Sequence, residues 1–401
     1  VRVGQASTLP LLTAALALGW SPGHALAQDP FDLRLYALGL AAHVGKSDYG
    51  PASSQQLARL RIIPGFRGGP LSVDVAWEHL VVRQRGNPAG SGFLPGTATG
   101  EGTDWLDLGG TIHSGADSRW THRLDRLSLS WEGDAFAVTV GRQTISWATT
   151  LFLTPADPFS PFDPSEPFRE YRGGVDAVRL RAFPGPFTEL EVVVRGAGTP
   201  DGDRATALAR AQTSRGGWAF GGWGGWVYDR PAGALFASGA VGEYALRTEA
   251  TLRDAEESGD AVLRAAVGLD RRFSIWRRDV YAIWELQYDG LGAASASKLL
   301  DIILSKPFSR GELQVLGQWA SMLQATAQVH PLVAVDGLAL ASLGDGSVLL
   351  SPGISWSASA SASVRIGAFL GIGDAGWRDG APGSEYGTLP NVVYASLSWF
   401  F

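Results

Sequence analysis

Apolar and polar residues alternate one by one over long stretches of the chain. Leu71, Val73, Val75 and Trp77 interleave with Ser72, Asp74, Ala76 and Glu78, and Leu127, Leu129 and Trp131 with Arg126, Ser128, Ser130 and Glu132. Val178, Leu180 and Ala182 alternate with Arg179 and Arg181; Leu190, Val192 and Val194 with Glu189, Glu191 and Arg195; Val280 to Tyr288 with Glu285 and Gln287. A strand turns successive side chains to opposite faces, so each stretch predicts a strand with one oily and one wet side. Eighteen such segments are predicted, near 31–43, 57–66, 69–82, 121–133, 135–147, 174–184, 187–196, 204–213, 217–229, 232–241, 243–254, 261–273, 278–289, 316–329, 332–344, 348–358, 361–372 and 391–401, with sixteen as the lower count.

Length decides what buries them. The segments run about 10–13 residues, close to the ~9–11 that a tilted strand needs to cross hydrocarbon. Strands of soluble sandwiches are nearer ~5–6. The prediction is an all-β fold: a closed, antiparallel, up-and-down transmembrane β-barrel of about 18 strands (16–18), its oily side in lipid and its charged side in the lumen. Connections alternate in length. Tight turns are predicted at Arg67-Gly68, Gly133-Asp134, Pro184–Pro186, Val241-Gly242 and His330-Pro331, and long loops at 83–120, 148–173, 290–315 and 373–390. Short turns belong on the periplasmic side and long loops outside.

The first residues read as an export signal. Arg2, the apolar run Leu9–Leu18 and the small-x-small site Ala25-Leu-Ala27 predict a cleaved signal peptide over 1–27, with the barrel domain at 28–401. Ten apolar residues fall short of the ~20 a membrane helix needs, and no later run of 18 occurs. The chain has no Cys, which excludes disulfides and thiolate metal sites. A net charge of −6 without any Lys/Arg run argues against nucleic acid. Its 52 Gly and 15 Trp suit tight turns and interfacial girdles. Trp218, Trp223, Trp226, Tyr228, Trp276, Tyr281, Tyr394, Trp399, Phe400 and Phe401 are the expected girdle, a lumen slide for stacking sugars being the alternative.

Leu397, Trp399 and Phe401 share one face of the last segment. The pattern resembles the C-terminal sorting signal of outer-membrane barrels, which implies the barrel-assembly machinery as a partner. A second resemblance rests on Gly141-Arg-Gln-Thr-Ile-Ser-Trp147, Pro155–Pro164 and Arg172-Gly-Gly-Val-Asp-Ala-Val-Arg179, with Ala341–Ser347 as a hairpin turn. These segments are similar to uncharacterised porin-like outer-membrane barrels of proteobacteria, and the Gly-Arg-Gln strand also to alginate-export barrels. The resemblance covers 141–373 in outline and departs at Ala148, where the relatives more often carry Gly. It implies an outer-membrane barrel and supplies no substrate.

Candidate site residues follow from the alternation. The loop 148–173 holds five Pro with Asp157, Asp163, Glu166, Arg169, Glu170 and Arg172. Loops beyond ~12–15 residues are uncommon unless functional or disordered, and prolines restrict the backbone. The expectation is a loop folded into the lumen that narrows the pore, the alternative a loop covering the rim. Around 141–147 the apolar set slips from Phe136, Val138 and Val140 to Ile145 and Trp147, which predicts a bulge or a strand leaving the sheet and turns Arg142 toward the loop. Arg59, Arg61, Arg126, Arg179, Arg181, Arg195, Arg247, Arg253, Arg264 and Arg272 are expected inward, as are Asp74, Glu78, Glu132, Glu189, Glu191, Glu249, Asp270 and Glu285. The candidate pore-lining and constriction set is Arg142, Asp157, Asp163, Glu166, Arg169, Arg172, Arg179, Arg181, Glu189, Glu191, Arg247 and Glu249. Mixed signs predict weak selectivity at most.

Enzyme chemistry finds little support. Gly371-Ile-Gly-Asp-Ala-Gly376 matches a dinucleotide fingerprint but ends a strand and enters a loop. No catalytic triad or metal motif occurs, and His79 and His122 sit in none. Asp157, Asp163 and Glu166 as calcium ligands are an alternative without a matching motif. The expected function is passive or weakly selective passage of small hydrophilic solutes, with no cofactor, outer-membrane lipid as a partner and no expectation for oligomeric state. Polysaccharide export or sugar binding, and an enzymatic or structural barrel, are the alternatives.

Overall fold

The computed structural model describes residues 30–48, 50–86, 103–159, 171–255, 259–378 and 380–401; the expected signal segment lies outside them. The strands are β1 (Phe31–Val44), β2 (Ser53–Gly68), β3 (Leu71–Arg85), β4 (Gly109–Ser114), β5 (Ser118–Glu132), β6 (Phe136–Gln143), β7 (Val175–Gly185), β8 (Thr188–Thr199), β9 (Gly202–Arg215) and β10 (Trp218–Val227). They continue with β11 (Arg230–Val241), β12 (Tyr244–Asp254), β13 (Ala261–Ile275), β14 (Arg278–Asp289), β15 (Trp319–His330), β16 (Val333–Ser342), β17 (Ser347–Ser357), β18 (Ala362–Ile372), β19 (Trp377–Arg378), β20 (Ala381–Pro382) and β21 (Val392–Phe400). Two short helices, α1 (Leu299–Ile303) and α2 (Lys306–Ser309), lie between β14 and β15.

Eighteen of these strands form a closed antiparallel barrel. Each pairs with its neighbour in sequence, and the last returns to the first, from Tyr36 opposite Phe400 to Val44 opposite Val392. Closure gives each of the eighteen strands a paired neighbour on both sides, so the barrel has no free edge strand. No described helix is long and apolar enough to cross a membrane. One end of the barrel has tight turns, among them Gly216-Gly217 and Trp276-Arg277, all four residues at positive φ. Such two-residue turns match the twist of the strands they join. The other end carries the long connections.

The outer wall is oily where the alternation predicts it: Leu127, Leu129, Trp131, Val178, Leu180, Leu190, Val192 and Val194 are exposed there, while Arg59, Arg61, Glu191, Arg195, Glu249 and Glu285 are buried on the inside. Four expectations need correction. The inner face is not uniformly wet, because Tyr36, Leu38, Leu40, Met322, Leu340, Leu349, Phe369, Val392 and Tyr394 form an apolar cluster on it together with Leu153. That cluster gives the inserted loop described below a dry seat. Trp223, Tyr228, Tyr281, Tyr394 and Phe400 do not belong to the girdle: Trp223, Tyr228 and Tyr394 are buried inside, Tyr281 donates to the inward Asp270 at 2.8 Å, and Phe400 stands opposite the inward Tyr36, their rings 5.0 Å apart. Trp226 and Trp276 do face outward. Within 83–120 lies β4, which pairs with β5 and is too short for alternation to reveal it. Finally, β6 ends at Gln143 rather than 147. Gly141 there has φ +114, and a Cβ on it would come within 2.3 Å of the Leu127 carbonyl oxygen, so the strand can bend inward only with glycine at this point.

Candidate functional site

Beyond Gln143 the chain leaves the wall and enters the barrel. Ile145 and Trp147 are buried, and the Trp147 ring packs edge-on against Phe159 at 4.8 Å and beside Trp223 of β10 at 6.2 Å. A backbone running through a barrel interior must find partners for its N–H groups. Here the wall opposite supplies them. Glu249 of β12 accepts from Thr149 (2.7 Å), Thr150 (3.1 Å) and Ala156 (3.1 Å). Glu285 of β14 accepts from Leu151 (2.6 Å), Phe152 (3.0 Å) and Leu153 (2.7 Å). Gln314 accepts from Thr154 at 2.5 Å and donates to the Phe152 carbonyl at 2.6 Å. Pro155 has no N–H to place, and Asp157 donates to Thr154. Every backbone donor from 149 to 157 is thereby satisfied. In the ring, β12 and β14 stand six and eight places from β6, so the segment reaches the far side.

A second segment meets it. Residues 310–317, after α2, bring Arg310, Glu312, Leu313 and Val315 into buried positions. Glu312 pairs with Arg253 of β12, and Arg264 of β13 bonds both Asp289 at 2.7 Å and the Glu312 carbonyl at 2.8 Å. Leu316 and Gly317 donate to Glu385 at 2.8 and 2.9 Å. Between the two segments lies a cavity of about 30 Å³, lined by Asp157, Phe159, Tyr228, Arg253, Arg310 and Glu312 among others. That is room for a water molecule.

The predicted site residues separate into groups. Arg142 is 2% exposed and holds Asp176 through two bonds, with Asp104 at 2.9 Å and the Leu106 carbonyl at 2.6 Å. It thus fastens the base of the loop. Asp157 is buried and bonds Arg172 at 2.9 Å and Ser146 at 2.7 Å. Arg179 pairs with Glu191 at 2.5 Å, Glu189 accepts from Gln212 at 3.1 Å, and Arg247 pairs with Asp270 at 2.9 Å. The Arg181 guanidinium stands 5.7 Å from the Phe183 ring. Asp163, Glu166 and Arg169 lie outside the described residues. Sequence reasoning missed Asp176, Asp289, Glu312 and Gln314. Of these only Asp176 had a signal, its place in the Gly-Val-Asp-Ala segment.

Most inward arginines are neutralised, and Glu249 and Glu285 are engaged by the loop backbone. On the lumen face Arg126, Arg181 and Arg272 form no ion pair among the described residues, and neither do Asp74 and Glu132. Charges of both signs remain. The buried rings of Trp147, Phe159 and Trp223 pack on one another, so they offer no open face on which a sugar could stack.

No protein-family model and no curated sequence matches the chain. Solved structures do. OccAB2 of Acinetobacter baumannii has a TM-score of 0.55 at 6% identity, over 92% of this chain and 98% of its own. OpdK of Pseudomonas aeruginosa, solved with vanillate, gives 0.51 at 11% identity, over 92% and 98%. A BenF-like porin from Pseudomonas fluorescens Pf-5 gives 0.54 at 9% identity, again over 92% and 98%. The likeness supports the porin-like resemblance of the sequence and lends nothing to the alginate-export similarity. At these identities it speaks for architecture: the chain has the fold of an outer-membrane porin, a closed barrel of eighteen strands.

Proposed function

We propose that the protein is a channel of the Gram-negative outer membrane, through which small hydrophilic solutes pass passively or with weak selectivity. One observation carries the reading: a closed barrel, oily outside, contains a loop whose backbone donors are held by Glu249 and Glu285 of the far wall. A loop so anchored narrows the lumen at a fixed place, as a constriction requires. In this reading Asp157 and Arg172 belong to the constricting loop, Arg179, Arg181, Glu189, Glu191 and Arg247 line the wall beside it, and Arg142 and Glu249 hold it in position. Lumen charges of both signs favour weak selectivity over a strict filter.

Leu397, Trp399 and Phe401 face outward on the closing strand, the Trp399 and Phe401 rings stacked at 5.1 Å. That arrangement supports recognition by the barrel-assembly machinery, and removal of Phe401 should slow membrane insertion. The deciding experiment is conductance of the purified barrel in planar bilayers. Discrete current steps with a small reversal potential in asymmetric salt support the channel. Silent insertion of folded barrels, verified by heat-dependent gel migration, refutes it.

A further inference from the structure

Passage through the lumen makes no use of a polar group of residues on the outer wall. His79 of β3 and His122 of β5 are directly opposed, their ring centroids 6.0 Å apart. Both face outward with Trp77 and Trp120. The Trp120 indole N–H donates to His79 Nδ1 and the Trp77 indole N–H to His122 Nδ1, each at 3.3 Å. An indole N–H can only donate, so each Nδ1 keeps its lone pair and each neutral ring carries its proton on Nε2. That tautomer leaves Nε2 a donor and no metal ligand. Gly110, opposite His122, leaves the approach open, since a Cβ there would sit 3.3 Å from His122 Nε2.

The same face continues toward the long-loop end. Beyond the outward Val81, Arg83 and Arg85, both exposed, occupy the next outward positions of β3, with Gln56 and Ser54 as their partners on β2. Neither arginine has an ion pair among the described residues. No Asp or Glu occurs among the outward positions 54, 56, 58, 77, 79, 81, 83, 85, 120 and 122. The face therefore offers two imidazole donors and two guanidinium groups with no carboxylate to answer them. Trp120, opposite Val81 between His79 and Arg83, marks its depth, because indoles settle at the headgroup level of a bilayer.

We infer that this face binds the phosphorylated headgroup of a glycolipid in the outer leaflet. The groups look into the membrane at headgroup depth, so their ligand is a membrane component. They are donors and cations only, so it is an anion. Guanidinium groups join phosphate oxygens through paired, charge-assisted bonds, and basic clusters beside the bilayer select phosphorylated headgroups. The inference rests on the outer-membrane placement proposed above and is independent of conduction.

The test uses the full barrel in nanodiscs of phosphatidylethanolamine doped with diphosphorylated lipid A, with retained lipid read by native mass spectrometry. Wild type should retain lipid A, and Arg83→Ser with Arg85→Ser should lower that retention about tenfold. His79→Phe with His122→Phe, which keeps the rings and removes the donors, should lower it as well. Both variants should keep the wild-type gel migration; the arginine pair stands at the exposed end of β3, where substitution spares the fold. Equal retention by the arginine variant, or equal retention of dephosphorylated lipid A, overturns the inference. So does displacement by millimolar inorganic phosphate alone, which would mark a site for the free anion. A barrel that retains lipid A without conducting would refute the channel and leave this site standing.

Discussion

Arg142 and Asp176, direct partners across β6 and β7, are joined guanidinium to carboxylate by two bonds, Nε to Oδ1 at 2.8 Å and Nη2 to Oδ2 at 2.7 Å. The loop leaves the wall just after one of them and rejoins it just before the other. The pair therefore fastens both ends of the segment that crosses the lumen. It also gives a physical reason for the Gly-Arg-Gln and Gly-Val-Asp-Ala segments to occur together, since each carries one half of the clamp.

Breaking that clamp should cost stability. Removing one partner of a buried pair leaves an uncompensated charge, worth about 3–5 kcal/mol. Asp176→Ala should lose on that order. Arg142→Lys keeps the charge and forfeits the paired geometry, so it should lose less. The guanidinium midpoint of the detergent-folded barrel measures both, and an Asp176→Ala midpoint equal to wild type contradicts the clamp.

Glu285 should control how still the loop lies. Glu285→Ala leaves the N–H groups of Leu151, Phe152 and Leu153 without their acceptor, at about 1–3 kcal/mol for each group left unmet. The segment is then expected to leave its seat while the wall, closed by β1 and β21, stays intact. Single-channel current should become larger or noisier, and Glu285→Gln, with one acceptor left, should fall between. Currents of unchanged size and noise would mean that the loop does not set the constriction.

Alternation made the barrel legible because lipid and lumen ask opposite chemistry of neighbouring residues. It carried no sign where both faces are apolar. On β1, Leu33 and Leu35 point outward and Tyr36, Leu38 and Leu40 inward, so composition alone does not tell one side from the other. The slip at Ile145 and Trp147 was visible and marks the departure from the wall. What the slip leads to was not, because Glu249 and Glu285 look like any inward wall charge. Their partners are backbone N–H groups, which every residue but proline possesses and which therefore leave no trace in a sequence. Gln314 was hidden for the same reason.

Acidity should tighten the contact between the long connections. Burial pushes the Glu385 carboxyl above the usual carboxylate range, although the N–H groups of Leu316 and Gly317 favour its ion. An acid raised in the fold binds extra protons there between its unfolded and folded values. Its contribution is complete below the ordinary glutamate value of about 4.3 and is lost as pH rises through the raised one. Glu385→Gln, neutral throughout, should flatten that part of the stability profile. Melting temperatures of both proteins from about pH 4 to 8 decide it; parallel curves would count against a role for Glu385.

Trp147 offers the clearest separation of loop from barrel. Its ring is 2% exposed, between Phe159 on the loop and Trp223 on the wall, with the Arg210 guanidinium 5.7 Å from its centre. Truncating a buried Trp to Ala costs roughly 3–5 kcal/mol, here lost from the seating of the loop and not from strand pairing. Trp147→Ala should speed proteolysis within 144–159 and raise conductance while the barrel still migrates as folded. Trp147→Phe, which keeps a ring against Phe159, should recover most of the wild-type behaviour. Should the Ala variant conduct and resist protease as wild type does, the wall carboxylates alone would hold the loop, and the aromatic contact would be filling space.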